Sequence, residues 1–166
     1  MMQRDYVIPP CTEDPELFYD EEFPVEEMER EMWEDTSYTE EDRLVMARWA
    51  RDRRERQLKA QLVCLTMCPL PQRAMCQEIG LQEEEGIWAG QLPEERARLR
   101  AGEQLSYRKP RSKLGRVRSQ MATELLSGLS IAEIAETHGT TRKTVLTQLT
   151  EQVMVLSAPS GNIQVA

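Results

Sequence analysis

Apolar side chains along this chain recur at helical spacing, and no segment alternates convincingly as a strand does. Over 40–67, Leu44, Ala47, Leu58, Leu62 and Leu65 serve as the apolar anchors of one long helix. Thr39 and Asp42 form a capping pair ahead of it, and early acids with Arg48, Arg51, Arg53 and Arg54 later suit a helix dipole. Pro69 and Pro71 stop that helix. A short helix over 72–79 follows, with Gly80 as its left-handed cap. After Gly86-Ile87-Trp88-Ala89-Gly90, Pro93 opens a further helix that closes at Gly102.

A three-helix unit is predicted over 115–156. Its first helix, 115–127, turns Val117, Met121, Leu125 and Leu126 inward and is closed by Gly128. Ser130 and Glu133 make a capping box, and Ile131, Ile134 and Ala135 line one face of the next helix. Gly139 permits a sharp turn, and Thr141 can cap a last helix bearing Val145 and Leu149. Small Ala135 and branched Val145 on either side of that turn suit the crossing angle of a helix-turn-helix. The unit resembles those of resolvases and sigma-like regulators. In such a unit the last helix enters the major groove N-terminal side chains first. The candidate contacts to double-stranded DNA are Thr141, Arg142, Lys143, Thr144 and Thr147, with Arg142 suited to guanine and Lys143 to phosphate. The plain alternative is three helices that only pack. His138, the single histidine, is expected to face solvent or the turn.

Composition limits what such helices can bury. Apolar residues make up 40% of the 166, charged residues 30%, and Leu, Ile, Val and Phe together about a fifth. That is near the level at which a packed core becomes doubtful, so a large single-core enzyme is excluded. No uncharged stretch reaches the roughly 18 residues that span a bilayer, and 1–10 lacks the apolar centre of a signal peptide. The expectation is a soluble, cytoplasmic protein.

Charge divides the chain more sharply than its net −8 suggests. Residues 1–46 hold 16 acids against 3 bases, whereas 47–115 hold 14 bases against 9 acids. The acidic 20–42 reads as an insertion. Residues 103–114 read as a basic linker, and Arg108, Lys109, Arg111, Lys113, Arg116 and Arg118 run without an intervening acid. A solvated linker and an arm along a phosphate backbone fit that run equally. Residues 157–166 read as a loose tail.

Cys11, Cys64, Cys68 and Cys76 fall as C-x52-C-x3-C-x7-C. Cys64 and Cys68 lie one helical turn apart, and Cys76 follows a proline-bent turn. Three thiols so placed with a distant fourth suit a metal or an iron–sulfur cluster, which would also supply stability that a thin core lacks. Spacing alone does not separate iron–sulfur from zinc, and separate buried cysteines remain the plain reading.

The surroundings of the cysteines carry a resemblance. Cys11 begins Cys-Thr-Glu-Asp-Pro-Glu-Leu-Phe-Tyr, Cys68-Pro69 precedes Cys76, and Gly86-Ile87-Trp88-Ala89-Gly90 is followed by Leu92-Pro93-Glu94-Glu95-Arg96. Over about 5–105 this order resembles the WhiB-like family of actinobacteria and their phages. The resemblance implies a [4Fe–4S] cluster held by Cys11, Cys64, Cys68 and Cys76. It also implies a partnership with the C-terminal domain of the primary sigma factor, with Phe18 and Trp88 as hydrophobic contacts. The chain departs from the family in three places. Its central spacing is longer than the usual C-x2-C-x5-C, the acidic insertion separates Cys11 from Cys64, and Ala89 stands where a glycine is usual.

The fold expected is thus all-α: a four-cysteine cluster-binding helical domain over 1–102, then a self-contained helix-turn-helix over 115–156. The function expected is a non-enzymatic transcription regulator that binds sigma factor and promoter DNA. A zinc-stabilised DNA-binding protein without sigma contact is the alternative. A thiol–disulfide protein using Cys64 and Cys68 is a third reading, but C-x3-C is not the redox-dipeptide spacing and no β-α-β pattern surrounds it. No nucleophile–base pair, phosphate loop or paired carboxylates appear.

Overall fold

The computed structural model describes residues 10–19, 38–103 and 115–157. The fold is all-α. Two single-turn 3-10 segments, Pro10–Thr12 and Pro15–Leu17, precede α1 (Glu40–Thr66), α2 (Leu70–Gly80), α3 (Pro93–Arg100), α4 (Gly115–Leu126), α5 (Ile131–Thr137) and α6 (Arg142–Ser157). Among the described residues the one β-type pairing is an isolated bridge between Trp88 and Gln91. No helix among them is long and apolar enough to cross a membrane. The acidic 20–37, the basic 104–114, the tail from 158 and the side chain of Val117 lie outside the described residues.

Local chemistry sets the boundaries. The Thr39 hydroxyl accepts from the Asp42 N–H at 3.1 Å, and the Asp42 carboxylate accepts from the Thr39 N–H at 2.9 Å, so two of the donors orphaned at the helix start are satisfied. Ser130 and Glu133 repeat that exchange at α5. Helix α2 begins at Leu70, two residues before the sequence-based boundary. Pro71 sits in its first turn, where no intrahelical donor is needed, so this proline opens a helix as well as closing one. The Thr141 hydroxyl accepts from the Thr144 N–H at 3.2 Å, which caps α6 as expected.

Helix α1 organises the molecule. At about 1.5 Å per residue its 27 residues span roughly 40 Å. Leu58, Leu62 and Leu65 fall four and three apart, on one stripe. They join Met121 and Leu125 of α4, Ile131 and Ile134 of α5, and Val145, Leu149 and Val153 of α6 in one core. Ala60 and Cys64, displaced by about half a turn around the same helix, enter a second cluster with Phe18, Ile87 and Leu92. The C-terminal half of α1 is therefore covered on two sides, and the three C-terminal helices complete their core with its leucines. The expected boundary at 103 passes between elements that share one core.

Leu44 and Ala47 are not anchors. Leu44 is 66% exposed and Ala47 is also exposed, because none of the described elements covers the first part of α1. His138 is half-buried, and its Nε2 pairs with the Glu124 carboxylate at 2.8 Å, tying the end of α5 to α4.

Candidate metal centre

Four chain segments bring the thiols together. Cys11 lies in the first 3-10 turn, Cys64 near the end of α1, Cys68 in the bend after it, and Cys76 in α2. The Ile87 N–H donates to the carbonyl of Phe18 at 2.7 Å, which docks the N-terminal segment on the glycine-rich turn. Arg73 of α2 donates to the Leu65 carbonyl at 3.1 Å, satisfying an acceptor left open at the end of α1 and fixing the bend that carries Cys68.

Cys11, Cys64 and Cys76 line one cavity of about 180 Å³ together with Phe18, Ile87 and Trp88. Cys68 is outside its lining, yet close enough to Cys11 and Cys76 for their charges to act on its thiol. All four cysteines are free. Among the described residues no three Cys, His, Asp or Glu side chains are placed to share a single metal ion. Three thiols around a mostly apolar space, with a fourth beside it, is a donor set of the soft, all-sulfur kind that an iron–sulfur cluster takes.

The turn over 86–91 supplies the cavity's polar edge. Trp88 and Gln91 exchange backbone hydrogen bonds at 3.2 and 2.8 Å. Gly86, Ala89 and Gly90 all take positive φ, at 71°, 53° and 80°, and this coils the backbone so that the N–H groups of Ala89 and Gly90 are directed at thiols. The Ala89 N–H donates to the Cys76 sulfur at 3.3 Å, and the Gly90 N–H acts on Cys64. N–H groups directed at sulfur are a lever on cluster potential. Two close approaches keep the turn in place. A Cβ on Gly90 would stand 2.7 Å from Leu65 Cγ, and one on Gly80 would stand 2.3 Å from Trp88 Cβ, so both positions need the bare backbone.

Burial pushes the Cys64 thiol up to about 12, with the charges of Cys76, Cys11 and Cys68 adding to the effect and the Gly90 hydrogen bond opposing it. Burial also raises the thiols of Cys68 and Cys76. The proton held by folded Cys64 stabilises the metal-free fold below the ordinary thiol range, and that contribution is lost as pH rises from about 9 through 12. In the metal-free protein at pH 8, alkylation of Cys64 is expected to be about 10²- to 10³-fold slower than in urea, since only the thiolate reacts. Peptide mapping after timed iodoacetamide treatment measures this. Equal rates in both states would show that Cys64 is not enclosed.

Phe18 and Trp88 differ in placement. Phe18 is 5% exposed and forms part of the second core cluster, beneath the turn. Trp88 is half-buried and lines the cavity, with its indole N–H donating to the Glu85 carbonyl at 3.0 Å. Of this pair, only Trp88 offers surface to a partner.

One residue of the site gives no sign of its role in the sequence pattern. Arg96 is fully buried, and its guanidinium donates to the carbonyls of Gly86 and Glu85, each at 2.7 Å, and of Gln91 at 3.0 Å, with longer contacts to Glu83 and Glu84. One cation thus gathers carbonyls of the turn whose Ala89 and Gly90 N–H groups are directed at sulfur. Gln61 of α1 adds a donor to the Gly90 carbonyl at 3.0 Å, and Glu95 accepts from the Leu92 N–H at 2.8 Å.

At the far end of the chain, Thr141, Arg142, Lys143 and Thr147 are exposed at the start of α6. Thr144 is half-buried, with its hydroxyl 2.9 Å from that of Thr141. The expected DNA contacts therefore share one helix end. Comparison of the chain with protein-family models, with curated proteins and with solved structures returns no match.

Proposed function

We propose that this chain is a WhiB-like transcription regulator with an added helix-turn-helix. Its Cys11, Cys64, Cys68 and Cys76 would hold a [4Fe–4S] cluster, its Trp88 turn would meet the C-terminal domain of the primary sigma factor, and Thr141, Arg142, Lys143, Thr144 and Thr147 would face promoter DNA. One observation carries the reading: Cys11, Cys64 and Cys76 come from three segments to one apolar cavity, beside a turn whose Ala89 N–H donates to the Cys76 sulfur. The all-thiol donor set and the longer C-x3-C-x7-C spacing are compatible with a polynuclear centre. Such a centre would supply redox-active or structural iron.

A single zinc ion is the second reading. It requires four sulfurs at about 2.3 Å from one point. Among the described residues no three such side chains are placed to share one ion, so this reading rests on the presence of four thiols alone.

Protein purified without oxygen is expected to be brown, with about four iron atoms per chain. The same preparation should be retained by the sigma C-terminal domain, and Trp88→Ala should lose that retention while keeping its iron. A colourless protein with one zinc per chain would overturn the cluster and support the zinc reading. Loss of iron together with retention would assign Trp88 to the core.

A further inference from the structure

The middle of α1 lies beside the helix that carries the expected DNA contacts, and it carries arginines of its own. Arg54 of α1 donates to the Thr150 hydroxyl of α6 at 3.2 Å. Farther toward both N-termini, Arg48 and Arg51 share a cavity of about 270 Å³ with Arg142, and Asp52, Glu55 and Ser130 also line it. The two helices thus run side by side in the same direction, and α1 continues past the end at which α6 begins. Arg48, Arg51 and Arg142 are all exposed. Arg51 donates its Nε to the carbonyl of Ala47 at 3.2 Å, which fixes the root of the side chain and leaves its two terminal nitrogens for another acceptor.

We infer that Arg48 and Arg51 belong to the same duplex-binding surface as the start of α6, and take the phosphates that border the groove Arg142 reads. This rests on the proposal that α6 reads DNA. Packed helices lie 8–10 Å apart, and the major groove is about 12 Å wide. A helix beside one that lies in the groove is therefore carried over the bordering strand. Guanidinium groups are the side chains best matched to phosphate oxygens there, since they donate in a fork. The carboxylates of Asp52 and Glu55 stand in the same cavity. They offset part of the positive charge of the three arginines, and exposed Lys143 at the next position adds to it. The surface thus attracts a polyanion moderately, as suits contact with the strand flanking a site rather than indiscriminate binding.

The test uses the full chain with its metal retained, titrated over a salt series against its preferred duplex and against a scrambled one. Arg48→Ala with Arg51→Ala is expected to weaken both duplexes alike, by about tenfold at low salt. It should also flatten the dependence of log affinity on log salt by about 1.8, since each phosphate that is no longer neutralised removes about 0.9 from the slope. Asp52→Asn should strengthen both duplexes. Arg142→Ala should instead reduce the difference between the two duplexes. All four side chains are exposed, so each variant should melt as the parent does. If the double variant keeps the parent's affinity and slope while Lys143→Ala loses both, the α1 surface is overturned and the reading of α6 stands. If the parent binds no duplex at low salt, both are overturned.

Discussion

Arg96→Ala is expected to lower the stability of the folded chain by about 2–4 kcal/mol, from a buried carbonyl left without its donor together with the cavity the side chain vacates. The guanidinium is fully enclosed, and its hydrogen bonds run to main-chain carbonyls of 83–86 and 91. Deleting it leaves the buried Gly86 carbonyl without a donor, removes the shared donor from the part-buried carbonyls beside it, and opens a cavity beside the turn. Arg96→Met restores the volume but no donor and should recover only part of the loss. Arg96→Lys keeps the charge but replaces a planar fork by one point, which cannot reach carbonyls on two sides. Urea unfolding of the three variants at one pH gives the order. A loss below about 1 kcal/mol for Arg96→Ala would mean that the carbonyls find water and that the turn does not depend on this cation. If the thiols hold iron as proposed, its content should fall with stability in the series, because the same turn directs the Ala89 N–H at Cys76.

Leu62→Ala should cost a comparable amount, about 2–5 kcal/mol, and should loosen both halves at once. Leu62 has no exposed surface and lies in the core that α1 shares with α4, α5 and α6. A fragment covering 103–166 removes Leu58, Leu62 and Leu65 together and uncovers one side of Met121, Leu125, Val145 and Leu149. It is expected to show reduced helicity and no cooperative melt, whereas residues 38–157 together should unfold in one transition. Circular dichroism of both pieces and calorimetry of the full chain measure this. A fragment 103–166 with full helix content and a sharp melt would show that α1 is dispensable to the three-helix core.

Sequence pattern and structure agree where the deciding physics is local. Thr39 with Asp42, and Ser130 with Glu133, cap helices through bonds spanning three residues. Gly102, Gly128 and Gly139 take the positive φ that a chain-reversing position requires, whereas Gly80 is no left-handed cap: it stays within α2, Leu81 caps the helix, and the bare backbone of Gly80 makes room for Trp88. Of the cysteines and the two segments singled out by their context, Cys11, Cys64 and Cys76 share a cavity with Phe18 and Trp88, while Cys68 lies outside its lining. Agreement stops where distant segments decide. Leu44 looks as apolar as Leu58 in the sequence, but only Leu58 lies where α4 to α6 pack. Leu58, Leu62 and Leu65 read as one stripe of a helix in the N-terminal domain, yet they complete the core of the C-terminal one. Phe18 reads as a sticky aromatic, and its burial depends on Ile87 and Leu92 folding back over it. Arg96 stands among Glu94, Glu95 and Arg98, where an arginine reads as one more solvated charge. Its burial follows from a turn that closes ten residues upstream.

Ala89 holds its backbone against its own preference. A side chain at φ 53° costs about 1–2 kcal/mol that glycine there would not incur, and the N–H so aimed meets the Cys76 sulfur. Gly86 and Gly90 take comparable φ values without that cost, so the strain of the turn is concentrated at the one residue whose N–H meets the Cys76 sulfur. The hydrogen bonds from Arg96 and Gln61 to the turn's carbonyls hold that conformation from outside the cavity, so the aim of this N–H is set by the surrounding fold and not by the thiol alone.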